Sequence, residues 1–139
     1  VQGTLGRLSL QIRDRRSPNA AVAAKMLGLV FQNFRDEAHE GEPWEPLAPS
    51  TIERRRKSGN KGVRILQDTT KMKQSFLPFS NNDIAGVGTL KSLEHSELSA
   101  IHEEGLGNVP ARPMLPSQGK AMSEAIKIYG YFVARAVKS

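Results

Sequence analysis

The chain contains no cysteine. Disulfide staples and thiolate metal sites are therefore excluded, which fits a cytosolic origin. Histidine is scarce, with only His39, His95 and His102. Aromatic residues make up 6% of the chain and include a single tryptophan, Trp44. No apolar run approaches the roughly 20 residues that a membrane-spanning helix needs, so no membrane partner is expected. Neither an internal repeat nor a low-complexity tract is visible. What remains is 139 residues of mean hydropathy −0.43, enough for one domain with a real core.

Charge is abundant and unevenly placed. Arg54, Arg55, Arg56, Lys57, Lys61, Arg64, Lys71 and Lys73 stand against one acid, Asp68. Residues 54 to 73 therefore carry +7, which leaves −1 for the remainder of a +6 chain. Such a local patch suits nucleic acid, an acidic protein surface or plain solvent.

Apolar spacing gives the elements. Leu5, Leu8 and Ile12 predict a short helix over residues 2 to 13. Ser17 and Pro18 form a helix start. Val22, Met26, Leu29, Val30 and Phe34 then carry a second helix to about His39, with Gly41 as its stop. "GEPWEPLAPST" (41 to 51) has three prolines and must be extended, with Trp44 and Leu47 anchoring it. A helix follows from Pro49 or Ser50 to about Lys57, then a loop over 58 to 64. Ile65 and Leu66 read as a buried pair, and Asp68 as the N-cap of a short helix. Residues 81 to 90 and 97 to 105 are expected to be two antiparallel strands joined near 91 to 96. A final helix starts at Ser117, with Met122, Ala125, Ile126, Tyr129, Val133, Ala136 and Val137 as its core-facing stripe. Ile128, Tyr131 and Phe132 lie outside that stripe, which suits either a subunit contact or packing on two sides. The sum is an α+β fold: several helices on a small antiparallel sheet, in a single domain over 1–139, with flexible or extended segments near 41–50 and 58–64.

The search for chemistry comes back nearly empty. His102 and Glu103 suggest a metal or acid–base site, but position 106 is Leu where a zinc-protease helix needs its second histidine. No hydroxyl sits in a nucleophile elbow. "GVGTLKSL" (86 to 93) is not a phosphate-binding loop, and "GLG" (105 to 107) is a turn. Neighbouring acids at Asp36–Glu37 and Glu103–Glu104 point to different helix faces. No enzyme, cofactor or metal is expected. "ERRRKS" (53 to 58) lacks the interleaved aromatics that stack single strands, and also reads as a solvated helix end whose cations complement the dipole. Pro110 and Pro113 stiffen the chain before the last helix and push Val109 and Arg112 towards extended conformations. Arg112 on this arm is expected to be an interface or anchoring ion-pair residue.

The order of the motifs says more than any one of them. "WEPLAPSTIERRR" (44 to 56), "ILQDTTKMKQS" (65 to 75), "IAGVG" (84 to 88), "AIHEEG" (100 to 105) and "PARPML" (110 to 115) together resemble the phage virion morphogenesis family. Its members are tail completion or head–tail joining proteins of Mu-like phages and prophages. The resemblance spans roughly residues 18 to 138. It departs at Thr70, where the family typically has glycine, and at Ser99–Ala100, where the family often has tyrosine before alanine.

The resemblance implies a structural protein of the host cytoplasm during assembly and then of the tail end or neck of the virion. It implies a homo-oligomeric ring, commonly sixfold, with the tail tube and neck proteins as partners. Such a role needs surfaces rather than an active site. The candidate interface residues are Arg54, Arg55, Arg56, Lys57, Arg112, Tyr131 and Phe132. The structural anchors are Trp44, Leu47, Ile65, Leu66, Pro110 and Pro113. The basic stretch would meet acidic surface on a neighbouring subunit, for instance Asp36 to Glu45. Facing DNA in the neck is less favoured, because +7 per subunit would hold phosphates and slow passage. The alternative function is a nucleic-acid-binding module using residues 54–73.

Overall fold

The computed structural model describes residues 13–59, 62–67, 70–89 and 93–138, with side chains described outside 93–97. The expected helix over 2 to 13 and the expected cap at Asp68 lie outside these residues, apart from Arg13. Among the described residues the elements run α1 (Arg16–Asp36), β1 (Ala38–His39), β2 (Glu42–Pro43), α2 (Pro49–Lys57), α3 (Lys71–Ser75), β3 (Phe76–Ser80), β4 (Ala85–Thr89), α4 (Leu93–Glu104) and α5 (Gln118–Lys138). The architecture is α+β, with two antiparallel two-stranded sheets, β1–β2 and β3–β4. The chain divides into two compact units. One comprises Val1–Leu27, Pro78–Val87 and Ser117–Ser139; the other comprises Gly28–Leu77 and Gly88–Pro116.

In the first unit the start of α1 is set by Asp14 rather than by Ser17. Its carboxylate accepts the Arg16 amide at 3.2 Å and the Arg16 guanidinium at 2.7 and 2.8 Å. The arginine's hydrogen bonds hold the Asp14 carboxyl down at about 2. Val22, Ala23 and Met26 form the buried face of this part of α1. Asn19 is buried beside them with both ends of its amide engaged: Nδ2 donates to the Asn81 carbonyl at 2.8 Å, and Oδ1 accepts the Tyr129 hydroxyl at 2.5 Å. Asn81 organises the β3–β4 turn, its side chain accepting the amides of Asp83 (2.7 Å) and Ile84 (3.0 Å). Phe79 lies across Gly86, where a Cβ would come within 2.5 Å of its ring.

The rotation of α5 differs from the expectation. Ser117 caps it, its hydroxyl accepting the Lys120 amide at 3.2 Å. The half-buried face is Ala121, Glu124, Ala125, Ile128, Tyr129, Phe132 and Ala136, and no residue of the helix is fully buried. Met122 (57% exposed), Ile126 (64%), Val133 and Val137, assigned to the core by periodicity, face outward. Two polar ties set this phase: the Tyr129–Asn19 hydrogen bond, and Glu124 held among Lys25, Lys120 and Lys127 at 3.4 to 3.8 Å.

The second unit is built around Phe34, packed edge-on against Trp44 (5.6 Å) and Phe76 (5.9 Å). Val30, Ala38, Ile65, Leu66, Met72 and Met114 complete its core. Helix α1 ends at Asp36, three residues before the expected His39, because tertiary partners take its last carbonyls. Gln67 donates to the Phe34 carbonyl at 2.9 Å and Arg64 to that of Arg35 at 2.6 Å. Glu37 then turns left-handed (φ 50°), its carbonyl accepting the Trp44 amide at 2.8 Å and its carboxylate the Ile65 amide. Ala38 and His39 pair with Pro43 and Glu42.

Residues 93 to 104 are helical, not a strand. "LEHSELSAIHEE" has four Glu, two Leu and one β-branched residue, Ile101, so intrinsic propensity favours helix where alternation was weak. The strand β4 pairs instead with β3, a segment for which the sequence reading expects no strand. Glu103, Glu104 and Gly105 accordingly close a helix. Gly105 is left-handed (φ 71°), and the amides of Gly105 and Leu106 both reach the Ile101 carbonyl, at 2.9 and 3.1 Å. Thr70, which precedes α3, also has a positive φ (60°). That is the position where the resemblance expects glycine, and a left-handed backbone is the physical reason for one.

Candidate binding cavity

"PARPML" (110 to 115) is an extended arm whose backbone is satisfied by side chains from far along the chain. The carbonyls of Pro113, Met114 and Leu115 meet Trp44 Nε1 (2.9 Å), Asn33 Nδ2 (3.0 Å) and His39 Nε2 (2.9 Å). A carbonyl only accepts, so His39 carries a proton on Nε2. The Glu103 carboxylate accepts the amides of Met114 (2.6 Å) and Leu115 (3.2 Å). Arg112 donates its amide to the His102 carbonyl at 2.7 Å. The arm is therefore fastened to the end of α4 along most of its length.

Arg112 is 5% exposed. Its Nε donates to the Glu45 carbonyl at 2.9 Å and its Nη2 to that of Pro46 at 3.0 Å, joining the arm to the extended segment before α2. Burial pushes its pKa down, Glu45 pushes it up, and the charge of Arg55 pushes it down again. Arg55 is 6% exposed, inside the run read as a solvated helix end. Its Nη1 donates to the carbonyls of Arg64 (2.8 Å) and Gly62 (3.4 Å), tying α2 to the 62–64 segment. Arg56 and Lys57 are exposed and pair with Glu53 on the helix surface at 2.7 and 3.8 Å.

These pieces enclose a cavity of about 600 Å³. Arg54, Arg55 and Arg112 line it together with His102, and Glu45 is the one lining carboxylate among the described residues. Leu47, Leu66, Met72, Leu98 and Pro110 supply apolar wall. The His102 ring has Nδ1 buried without a hydrogen-bond partner. Its pKa is lowered, first by burial and then by the charge of Arg112, so it is neutral near pH 7.

Of the residues singled out from the sequence, Arg54, Arg55, Arg112, Leu47, Leu66 and Pro110 meet at this cavity. Trp44 and Ile65 are buried in the core of the same unit, and Pro113 is half-buried. Tyr131 and Phe132 lie on α5, their rings in edge contact at 5.8 Å. Asn19 and Asn33 were missed, and Glu103 was weighed only beside His102 as a metal or acid–base group, not as an anchor. The first two had a readable signal: an amide on the apolar face of a helix at core spacing needs a buried partner. Glu103 had none, since its targets are amides eleven and twelve residues away.

Among the described residues no group of three or more His, Asp or Glu is placed to hold a metal, and no helix is long and apolar enough to cross a membrane. No curated protein and no solved structure matches the chain. The model of the phage virion morphogenesis family matches residues 1–130. With the match covering nearly all of it, the chain belongs to the phage virion morphogenesis family.

Proposed function

We propose that this chain is a structural subunit that completes the phage tail or joins tail to head, working as an oligomeric ring. Family membership carries the reading, because it assigns the chain to virion assembly. A non-catalytic role agrees with a cavity lined by arginines and apolar side chains. The exposed apolar residues of α5, with Tyr131 61% exposed, offer a surface for a neighbouring subunit. Charge segregation offers a second: Asp36, Glu40, Glu42 and Glu45 are exposed in one run, and Arg54, Arg56 and Lys57 in the next. Complementary patches at different places on one chain make head-to-tail contacts, which close into rings. The chain would then act in the host cytoplasm during assembly and remain at the tail end or neck, against tail tube and neck proteins. Ring assembly is checked by light scattering, and the joining role by restoring tails to a phage that lacks the chain. A monomer that neither binds tail tubes nor restores them overturns the reading.

The alternative, a nucleic-acid module over 54–73, is weakened by where the charges go. Arg55 is buried, Arg64 is committed to the Arg35 carbonyl, and Arg56 and Lys57 share Glu53. Duplex binding that falls steeply with salt would revive it.

A further inference from the structure

We infer that the outward face of α5 docks on the acidic segment 40–46 of a second copy of this chain. The inference rests on the oligomeric reading above and names the two surfaces that meet.

Met122, Ile126, Val133 and Val137 are between 40% and 64% exposed. Their spacing puts them on one side of α5, and no charged residue interrupts that side. A helix with apolar residues on its outward side as well has a second surface to cover. Gly130 lies in the same stripe, exposed, with nothing within 4 Å of a would-be Cβ. Glycine inside a helix is destabilising relative to alanine, and no described neighbour calls for one here. The close approach of another chain does.

Charge selects what covers this face. Lys120, Lys127, Arg135 and Lys138 are exposed on α5. Glu124 is its one acid, with a side chain 12% exposed and Lys25, Lys120 and Lys127 already at 3.4 to 3.8 Å. Pairing α5 with the α5 of a second copy would set cations against cations with no free acid between them. The opposite pattern stands at 40–46, where Glu40, Glu42, Pro43, Glu45 and Pro46 are exposed. This segment is fixed before it binds. Glu42 and Pro43 pair with His39 and Ala38, and Arg112 holds the carbonyls of Glu45 and Pro46 at 2.9 and 3.0 Å. Its proline rings add apolar surface with little conformational entropy left to lose. Acids around rigid apolar rings complement an aliphatic stripe beside lysines. Helix α2 is the other cationic surface, but it exposes only one large apolar residue, Ile52, and lacks the apolar centre of an interface. The two docking surfaces differ, so the contact is head-to-tail and repeats from copy to copy.

The test follows association of the full chain and two blocked forms by light scattering and sedimentation. Ile126→Glu puts a charge into the stripe and should weaken association by about 30-fold or more. Glu42→Lys together with Glu45→Lys reverses the acidic side and should weaken it by about tenfold. Urea midpoints show whether both forms are folded, and Glu42→Lys alone replaces the double variant if that one is not. Mixed in equal amounts, the two forms retain one intact α5 face and one intact acidic segment between them. They should form heterodimers and no rings, whereas a contact between two α5 helices predicts no dimer. Gly130→Gln should raise the urea midpoint, because glutamine is the better helix former, and still weaken association by about tenfold. A purely structural role for Gly130 would not separate the two readouts. Association unchanged by Ile126→Glu, or a mixture without heterodimer, overturns the contact. Losses from Arg56→Glu equal to those from Glu42→Lys assign the acids to α2 instead. A wild-type chain that stays monomeric, while Ile126→Glu abolishes restoration of tails, gives the face to another protein. Rings that persist in Ile126→Glu and restore tails remove this contact and keep the assembly reading. Rings built as expected that restore nothing do the reverse.

Discussion

Gly105→Ala is the sharpest probe of how the arm is held. Gly105 is left-handed at φ 71°, and a Cβ there would lie 2.6 Å from the Ala111 nitrogen and 2.9 Å from its Cα. Those are backbone atoms that cannot rotate away. Ordinary contact begins at 3.4 Å, so the arm must retreat by about 0.8 Å. A retreat of that size lengthens the 2.7 Å bond from the Arg112 amide to the His102 carbonyl beyond useful range. The left-handed backbone costs alanine about 1–2 kcal/mol, and each hydrogen bond lost from the arm adds about 1 kcal/mol. The expected loss is about 2–4 kcal/mol. Gly107 is the internal control, with φ 66° and nothing within 4 Å of its would-be Cβ. Gly107→Ala should therefore lose only the conformational part, about 1–2 kcal/mol. Urea denaturation of both variants, with hydrogen exchange at the Arg112 amide, separates the two costs. Equal losses within about 0.5 kcal/mol, or an unchanged Arg112 amide, would refute the argument that the arm is pinned against Gly105.

Other consequences follow from single contacts. Thr70→Gly should stabilise the chain by about 0.5–1 kcal/mol, since relief of the left-handed strain outweighs the entropy of glycine and the 3.3 Å Gln74–Thr70 hydrogen bond; a lower urea midpoint would sink this. Glu103→Ala strips the acceptor from the Met114 and Leu115 amides and should cost about 1.5–3 kcal/mol in the same assay. Asn19→Ala leaves the Tyr129 hydroxyl and the Asn81 carbonyl without their partner, for about 1–3 kcal/mol. Tyr129→Phe should then cost less in the Asn19→Ala background than in the wild type, and additive costs would exclude the coupling. His102 has a folded pKa below its ordinary 6.5, so the unfolded chain takes up its proton first. Stability should be complete above about pH 6.5 and fall as the pH drops through that value towards the folded pKa. His102→Gln should flatten this part of the pH–stability curve, and an unchanged slope would show that His102 does not set it.

What the sequence determined alone was whatever depends on neighbours within a few residues. The course of α1, the Pro49 start and Ser58–Gly59 end of α2, the Ser117 cap of α5 and the extended proline segments all rest on local backbone and capping preferences. The ordered motifs around Trp44, Ile65–Leu66 and Pro110–Pro113 were enough to point to the family. Tertiary structure decided the rest. Residues 93 to 104 became helix, and β4 took β3 as its partner, because weak alternation does not specify a strand's partner. The left-handed Glu37 ended α1 because Gln67, Arg64 and Trp44 took its carbonyls. The phase of α5 was set by a hydrogen bond between residues 110 apart in sequence. The basic run shows the division most plainly. Its charges were countable, but a side chain's burial depends on what packs over it. Arg55 went inside and Arg54 stayed at the rim, though they are adjacent in the chain, since successive helical residues point in different directions and meet different neighbours.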